Sequence, residues 1–354
     1  MVDRPQFDFL KTLVETPSPS GSEQQAAAVW RAYVGAFADS VTTDNQGNVI
    51  AVINPSGAPR VMLSGHMDEI GFIIRHISNE GYLSFGTIGG FDPLTLPGER
   101  VQLLGKDGLV RGVIGRKATH LQSPDDRTKT PEIEDLWIDI GATNREAALA
   151  LLDIGTAGTR AQGLETMANA DLVVSRALDN KAGAYVVARA LELAKARQPK
   201  AAIYAVATVQ EEVGLRGART SAFGIDPQVG LAVDVTHASD YPTADPKRSG
   251  DIKLGAGPVV TFGPTISPRI ADLLLAAGRA NGIPIQREAE GRSTGTDADA
   301  LQQVRAGIAT GLISVALRYM HTGAEIGSLN DIERTAELLA ATAVSIGPET
   351  NIIP

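Results

Sequence analysis

Histidines and carboxylates follow four apolar runs of this 354-residue chain, and such runs are typical of buried strands. In an open α/β sheet, ligands bind outside the carboxyl ends of the strands, so we expect side chains at those ends to converge. Imidazole nitrogens and carboxylate oxygens are ligands that suit zinc, cobalt or manganese. The sequence therefore predicts a metal site, and its candidate residues are His66, Asp179, Glu211, Glu212, Asp234 and His321.

Asp68 follows His66 by two residues, so both side chains would face the same side of an extended chain. A histidine that binds a metal usually has a carboxylate or carbonyl on its other ring nitrogen. The spacing therefore predicts that Asp68 orients the His66 imidazole.

Each candidate also has an ordinary structural explanation. A lone histidine at a strand end, such as His66 or His321, is more often structural or solvated than a metal ligand. Asp179 precedes a predicted helix and is a candidate cap. Glu211 and Glu212 are a candidate acidic pair at a helix start, where the helix dipole favours negative charge. Asp234 is a candidate turn residue. These explanations are independent of one another, so their joint coincidence is less expected than one shared metal site.

The remaining histidines and two glycine-containing segments are weaker candidates. His237 is the nearest rival ligand, His76 alternates within a strand and is expected at the surface or in the core, and His120 has no assignment from pattern alone. Segments 86–90 and 291–300 lack the spacing of a phosphate-binding Walker loop. In the second, Thr296 is a candidate helix cap with two acids in the first turn.

The composition limits the class of protein. The net charge is -9 without any basic block, which argues against nucleic-acid binding, since phosphates need clustered cations. The chain has no cysteine, so disulfides and thiolate metal sites are excluded. We find neither a signal-peptide pattern at the start nor a membrane-length apolar run, and we predict a cytoplasmic protein without a membrane partner.

The pattern of apolar residues changes twice along the chain. Residues 5–15 and 22–38 are predicted helices, the second with Ser20 or Ser22 as cap, and residues 48–54 and 60–65 are predicted strands. Five short strand-like runs follow, and only residues 144–153 look helical among them. Beyond residue 164 helices alternate with strands; the predicted helices are 182–196, 266–282 and 330–347, the last opened by Asn330 or Asp331, and the predicted strands are 201–209, 229–235, 283–288 and 306–315.

This pattern predicts an α/β fold class. Alternating strands and helices favour a three-layer α/β/α domain, formed by residues 1–69 plus 164–354. Many short strands punctuated by glycine and proline favour a small barrel or sandwich, formed by residues 70–163 and inserted into the first domain. The length of 354 residues also suggests two domains.

Several motifs together resemble the tetrahedral (TET-type) dinuclear metallo-aminopeptidases, the family that includes glutamyl and deblocking aminopeptidases. They span residues 65 to 321 and stand in the order of that family. Single motifs such as HMDE are weak, but the set is specific. The matching stretches are GHMDEIGFII, TIGGFDPLTLPGERV, GVIGRKATHL, ALDNKAGAYV, VQEEVGLRGA, AVDVTH, STGTDADA and RYMH.

The resemblance implies two divalent metal ions per subunit. Zinc and cobalt are the preferred candidates, and manganese is the alternative. His66 and Asp234 would hold one ion, Glu212 and His321 the other, and Asp179 would bridge them. Glu211 would be the general base. The resemblance further implies short peptide substrates with a free N-terminus, a β-barrel-like dimerisation domain, dimers that build a homo-oligomeric dodecamer, and a substrate pocket lined by residues 295–300.

Three positions depart from the commoner family pattern. Asn180 stands where a second aspartate is frequent, Lys181 where arginine is usual, and Thr322–Gly323 where Ser–Pro is expected. None of them is a proposed ligand, so they bear on pocket shape and specificity.

Other functions share part of this pattern. An N-acyl amino-acid deacylase or a carboxypeptidase would use the same metal ligands. A non-catalytic peptide-binding relative should have lost a ligand or the base, and here all are present. A glycosidase also uses paired carboxylates, but the chain has only two tryptophans and no evident sugar platform.

Overall fold

The computed structural model describes residues 4–354. Its strands belong to two separate sheets and are numbered here in chain order. They are β1 (Ser40–Thr43), β2 (Val49–Ile53), β3 (Arg60–His66), β4 (Gly71–Ile77), β5 (Leu83–Ile88), β6 (Arg100–Gly105), β7 (Gly108–Gly115), β8 (Trp137–Asp139), β9 (Ala157–Arg160), β10 (Glu165–Thr166), β11 (Leu172–Ser175), β12 (Ala202–Thr208), β13 (Val229–His237), β14 (Val259–Phe262), β15 (Gln286–Ala289), β16 (Ala309–Arg318) and β17 (Glu325–Ser328).

The longer helices lie before and after the segment of the smaller sheet, in residues 4–35 and 178–345. Within the described residues, no helix combines the length and the apolar character that crossing a membrane would require. The helices are α1 (Arg4–Glu15), α2 (Gln24–Gly35), α3 (Pro124–Thr128), α4 (Arg145–Leu151), α5 (Leu178–Lys195), α6 (Arg216–Ile225), α7 (Pro246–Ser249), α8 (Pro268–Asn281), α9 (Asp297–Leu301) and α10 (Leu329–Ser345).

The larger sheet has 11 strands, and its main path runs in the order β1-β2-β12-β3-β13-β16-β17-β11-β10. The four central strands β12, β3, β13 and β16 are parallel, and the outer pairs on this path are antiparallel. Strand β14 pairs with β16 and with β15. The carboxyl ends of the four central strands therefore lie at one edge, where a site is expected.

Helices cover both faces of this sheet. On β3, Val61 and Leu63 belong to the core formed with α1, α2, α5 and α10, whereas Met62 belongs to a second core with α6 and α9. On β13, Leu231 and Ala232 divide in the same way. Because successive strand residues point to opposite faces, this division confirms the predicted three layers.

The smaller sheet closes into a six-stranded barrel in the order β4-β5-β8-β7-β6-β9. Its own core includes Phe72, Phe85, Val101 and Ile138. A barrel is thus confirmed over the sandwich that the sequence left open. The exact domain limits, 70 and 163, stay a prediction.

Two predicted helix caps are wrong. The N-cap residue of α2 is Glu23, whose side chain makes no capping bond, rather than Ser20 or Ser22. The Ser20 hydroxyl donates to Asp68 instead. Helix α10 is capped by Ser328, which accepts from the amide of Asp331, rather than by Asn330 or Asp331. By contrast, Thr296 caps α9 as predicted.

Several predicted bounds shift. The helix predicted at 182–196 begins at Leu178, although Asp179 and Asn180 have non-helical dihedral angles and are joined by a cis peptide bond. The strand predicted at 283–288 covers only Gln286–Ala289. Strands β1, β9, β10, β11, β14 and β17 were not predicted, since all six have only two to four residues and carry little periodicity.

Candidate metal centre

The six candidate residues meet at the carboxyl edge of the four central strands. His66 is the last residue of β3, and Asp234 is the sixth of the nine residues of β13. Glu211 and Glu212 follow β12, and His321 follows β16. The sixth residue, Asp179, lies at the irregular start of α5. All six line one cavity of about 370 Å³.

Asp179 lies between the two histidines. Its Oδ1 is 3.4 Å from His66 Nε2, and its Oδ2 is 3.2 Å from His321 Nε2. Each histidine also faces a second carboxylate, at 3.8 Å from Asp234 to His66 and 3.6 Å from Glu212 to His321. The cluster therefore divides into two groups that share Asp179.

Glu211 lies in the same cluster. Its Oε2 is 3.7 Å from His66 Nε2, and its side chain is buried. Ligand atoms of His66, Glu211 and Asp234 all lie within 4.8 Å of one another, as do those of His66, Asp179 and Glu212. These distances alone do not distinguish a metal-binding role of Glu211 from a role as general base.

Asp68 lies beside Nδ1 of the His66 ring. His66 Nδ1 lies 3.1 Å from the Asp68 carbonyl oxygen and 3.5 Å from its Oδ1. The Asp68 carboxylate in turn accepts hydrogen bonds from Ser20 Oγ and from the amides of Glu211 and Glu212. Burial alone would raise the pKa of Asp68, but His66 and these donors hold it below its usual range.

Three carboxylates of the cluster, those of Glu211, Glu212 and Asp234, have too little positive charge around them to offset their burial. Burial raises the pKa of Glu211, and the nearby Asp234 and Asp297 raise it further against the effect of His66. Burial and neighbouring carboxylates likewise raise the pKa of Glu212 and Asp234. Oε1 of Glu212 is buried without a hydrogen-bond partner. Such a donor set fits divalent cations, which would supply the missing charge and occupy the orphaned oxygen.

Glu325 supports the centre and was not predicted. Its carboxylate accepts from the amide of Asp179 at 3.0 Å and from that of His321 at 2.9 Å. His321 has a left-handed backbone with φ of 62°, which costs a non-glycine residue roughly 1–2 kcal/mol. The bond from Glu325 helps to hold that conformation. The only signal in the sequence was an acid four residues after His321.

Glu69 forms a second support that was not predicted. Its carboxylate pairs with Arg176 Nη1 at 2.9 Å and with Lys181 Nζ at 2.6 Å, and all three side chains are buried. Arg176 also donates to the carbonyls of Val14 and Glu15 at the end of α1. This network joins α1, the segment after β3 and the start of α5 beneath the candidate ligands.

The other histidines lie outside the cluster. His76 and His120 are exposed on the barrel, and His237 is exposed at the end of β13, on the cavity lining. Within segment 291–300, Thr294, Gly295 and Thr296 line the cavity. A larger cavity of about 670 Å³ contains none of the six candidates in its lining.

Comparisons with known proteins agree over nearly the whole chain. The model of the M42 glutamyl aminopeptidase family matches residues 47–338. The lysyl aminopeptidase of Pyrococcus furiosus is 36% identical, over 98% of this chain and 99% of that protein. A TET aminopeptidase structure from the marine sediment archaeon Thaumarchaeota archaeon SCGC AB-539-E09 has a TM-score of 0.93 at 33% identity, covering 98% of both chains. The Pyrococcus horikoshii TET1 peptidase, which can assemble into a tetrahedron or a large octahedral shell, has a TM-score of 0.86 at 31% identity, covering 96% of this chain and 100% of that one.

Proposed function

The chain belongs to the M42 aminopeptidase family, and from this premise we propose that it hydrolyses the N-terminal peptide bond of short peptides at a centre for two divalent metal ions. The position of Asp179 carries the proposal. Its two carboxylate oxygens face two separate imidazoles, at 3.4 Å and 3.2 Å. A carboxylate shared in this way is typical of a two-metal hydrolase.

His66 and Asp234 would hold one ion, and Glu212 and His321 the other, with Asp179 shared by both. This division follows the two groups of short distances in the cluster. Zinc and cobalt suit these ligands best, and manganese is a third candidate. When bound, such ions supply a Lewis acid for the scissile carbonyl and a water of lowered pKa.

The protein's own groups would do the remaining work. Glu211 lines the cavity beside His66 and would take the proton of the attacking water and pass it to the leaving amine. Asp68 would keep the His66 ring in place through Nδ1. The carboxylates of Glu212 and Asp234 would receive the free α-amino group, which explains cleavage from the N-terminus.

The first experiment uses chelator-stripped protein with zinc, cobalt or manganese added back. Activity is measured on a panel of aminoacyl-p-nitroanilides and on N-acetylated counterparts. We expect metal-dependent cleavage of the free-amine substrates alone. Release of acetate from the acetylated substrates would favour a deacylase, and release of the C-terminal residue from an N-acetylated dipeptide would favour a carboxypeptidase. Folded, metal-loaded protein without activity on any of them would favour a non-catalytic relative.

We further propose that residues 70–163 form an inserted domain that joins two subunits. The barrel exposes several large apolar side chains, which favours burial against a partner. In line with the relative that forms closed shells, dimers would then build a dodecamer. The exposed residues include Leu94, Leu109, Val113, Leu121, Leu151 and Ile154.

A further inference from the structure

Two carboxylates outside the candidate ligand set line the same cavity. Glu288 lies on β15 and Glu290 directly follows that strand. In the sheet, Glu288 is in register with Thr261 of β14. These acids therefore belong to the wall of the cavity and have no part in the chemistry proposed above.

The Glu288 carboxylate is held in one orientation. Its Oε1 accepts from Thr236 Oγ1 at 2.5 Å, and its Oε2 from Thr261 Oγ1 at 3.2 Å. Both threonines are buried, Thr261 completely. A carboxylate oxygen accepts up to two hydrogen bonds, so each oxygen retains capacity for a ligand.

No described cation offsets the charge of Glu288 by direct contact. Burial raises its pKa and Glu290 raises it further, while the two threonine hydroxyls and, more weakly, His237 lower it. Among the described residues that line the cavity, Arg248 is the one lysine or arginine, and it is exposed on the short helix α7. A cation entering the cavity would therefore stabilise the ionised carboxylate.

The rest of the lining suits a long side chain with a polar end. Val235, Leu312 and Met320 offer apolar surface for methylene groups. Aromatic side chains are missing from the described lining residues, so a large aromatic residue finds no stacking partner. An acidic side chain would meet carboxylates instead of a buried cation, which is unfavourable.

We propose that this cavity selects peptides whose N-terminal residue carries a cation, lysine or arginine, with Glu288 as the residue that binds the charge. The proposal rests on the function proposed above, since it places the side chain of the cleaved residue beside the metal centre. Glu290, exposed near the cavity, would add attraction over a longer distance.

The test compares kcat/KM for lysyl, arginyl, methionyl and glutamyl p-nitroanilides on metal-loaded protein. Methionine is the neutral counterpart of lysine in length. We expect the wild type to favour lysyl and arginyl over methionyl substrates at least tenfold, with glutamyl lowest. In Glu288→Gln, which keeps the shape and removes the charge, the lysyl-to-methionyl ratio should fall about tenfold. Glu349→Gln, an exposed change of the same type, should leave the ratio unchanged.

A binding measurement keeps the test independent of turnover and of the variant's activity. The cleavage products lysine and methionine have no bond to hydrolyse; lysine should bind the wild type more tightly than methionine in calorimetry, and Glu288→Gln should lose that difference. A wild type that cleaves methionyl substrates as well as lysyl ones, or a ratio unchanged by Glu288→Gln in folded protein, overturns the inference alone. Absence of cleavage of every free-amine substrate overturns the proposed function instead.

Discussion

At the scale of single residues, Glu211 and Glu212 are adjacent on one loop, yet the proposed mechanism gives them different roles, general base and metal ligand. Both are close to an imidazole, at 3.7 Å and 3.6 Å respectively, so distance does not separate a base from a ligand. The proposed division gives Glu212 to the metal, together with His321, and leaves Glu211 free to exchange a proton.

Glu211→Gln should therefore retain the metal and lose turnover. A general base contributes about 10²–10⁴-fold to the rate, so kcat should fall by that factor. Metal content is measured by elemental analysis alongside the kinetics. The matched variant Glu212→Gln should lose metal as well as activity. If Glu211→Gln also loses metal, Glu211 is a ligand; if it keeps near wild-type kcat, it is not the base.

Glu325 leads to a prediction about positioning. Glutamine at this position can accept from only one of the two amides that Glu325 now serves, leaving a buried donor unsatisfied at a cost of about 1–3 kcal/mol. Because those amides belong to Asp179 and His321, Glu325→Gln should weaken metal affinity about 10–100-fold, the range for groups behind a ligand. Metal titration measures this directly. If the metal affinity of Glu325→Gln equals that of the exposed control Glu349→Gln, the role of Glu325 is purely structural.

The candidate ligands themselves were predictable from sequence, and their supports were not. His66 directly follows the predicted strand 60–65, and Asp234 lies near the end of the predicted strand 229–235. Ligands bind at this edge of an open α/β sheet. Glu69 lies three residues after β3 and Glu325 begins β17, but neither position indicates which residue its side chain contacts. Their role depends on bonds to residues more than 100 positions away in the chain, with Asp179 and Arg176.

At the scale of elements, local periodicity predicts the strands that are buried on both faces, such as β3, β12 and β13. It does not predict the edge strands β1 and β10, whose few residues carry no pattern, or the closure of the barrel, which depends on pairing between distant strands. The cap of α2 was mispredicted for a related reason. Ser20 has the right type and place for a cap, yet its hydroxyl serves Asp68.

The network of Glu69, Arg176 and Lys181 is the element-scale feature with the clearest energetic consequence. Glu69→Gln leaves two buried cations without their partner, and breaking a buried pair in this way costs about 3–5 kcal/mol. We expect the free energy of unfolding, measured with denaturant, to fall by that amount. The exposed pair of Lys195 and Asp39 is the control, since Asp39→Asn should cost about 1 kcal/mol or less. Equal losses in both variants would contradict a buried network that joins α1 to α5.

At the scale of the whole molecule, the chain contains a three-layer α/β/α unit and a barrel, and the two bury their apolar residues in different ways. The three-layer core needs no partner to bury its sheet, because helices cover both faces. The barrel closes around its own core but leaves apolar side chains outside, among them Leu109 and Val113 on the same face of β7. An assembly that buries this face would account for them.

The double variant Leu109→Glu with Val113→Glu tests that account. These side chains are 49% and 45% exposed in the monomer, so charge there should leave the fold intact and weaken the subunit contact. By size-exclusion light scattering, the wild type should have a mass that is a multiple of 37.1 kDa, and the variant a smaller multiple. Phe223→Glu, at an exposed position on α6, is the matched change outside the barrel. A smaller mass for Phe223→Glu alone would move the contact to the three-layer domain, and a monomeric wild type would refute both the dimer and the dodecamer.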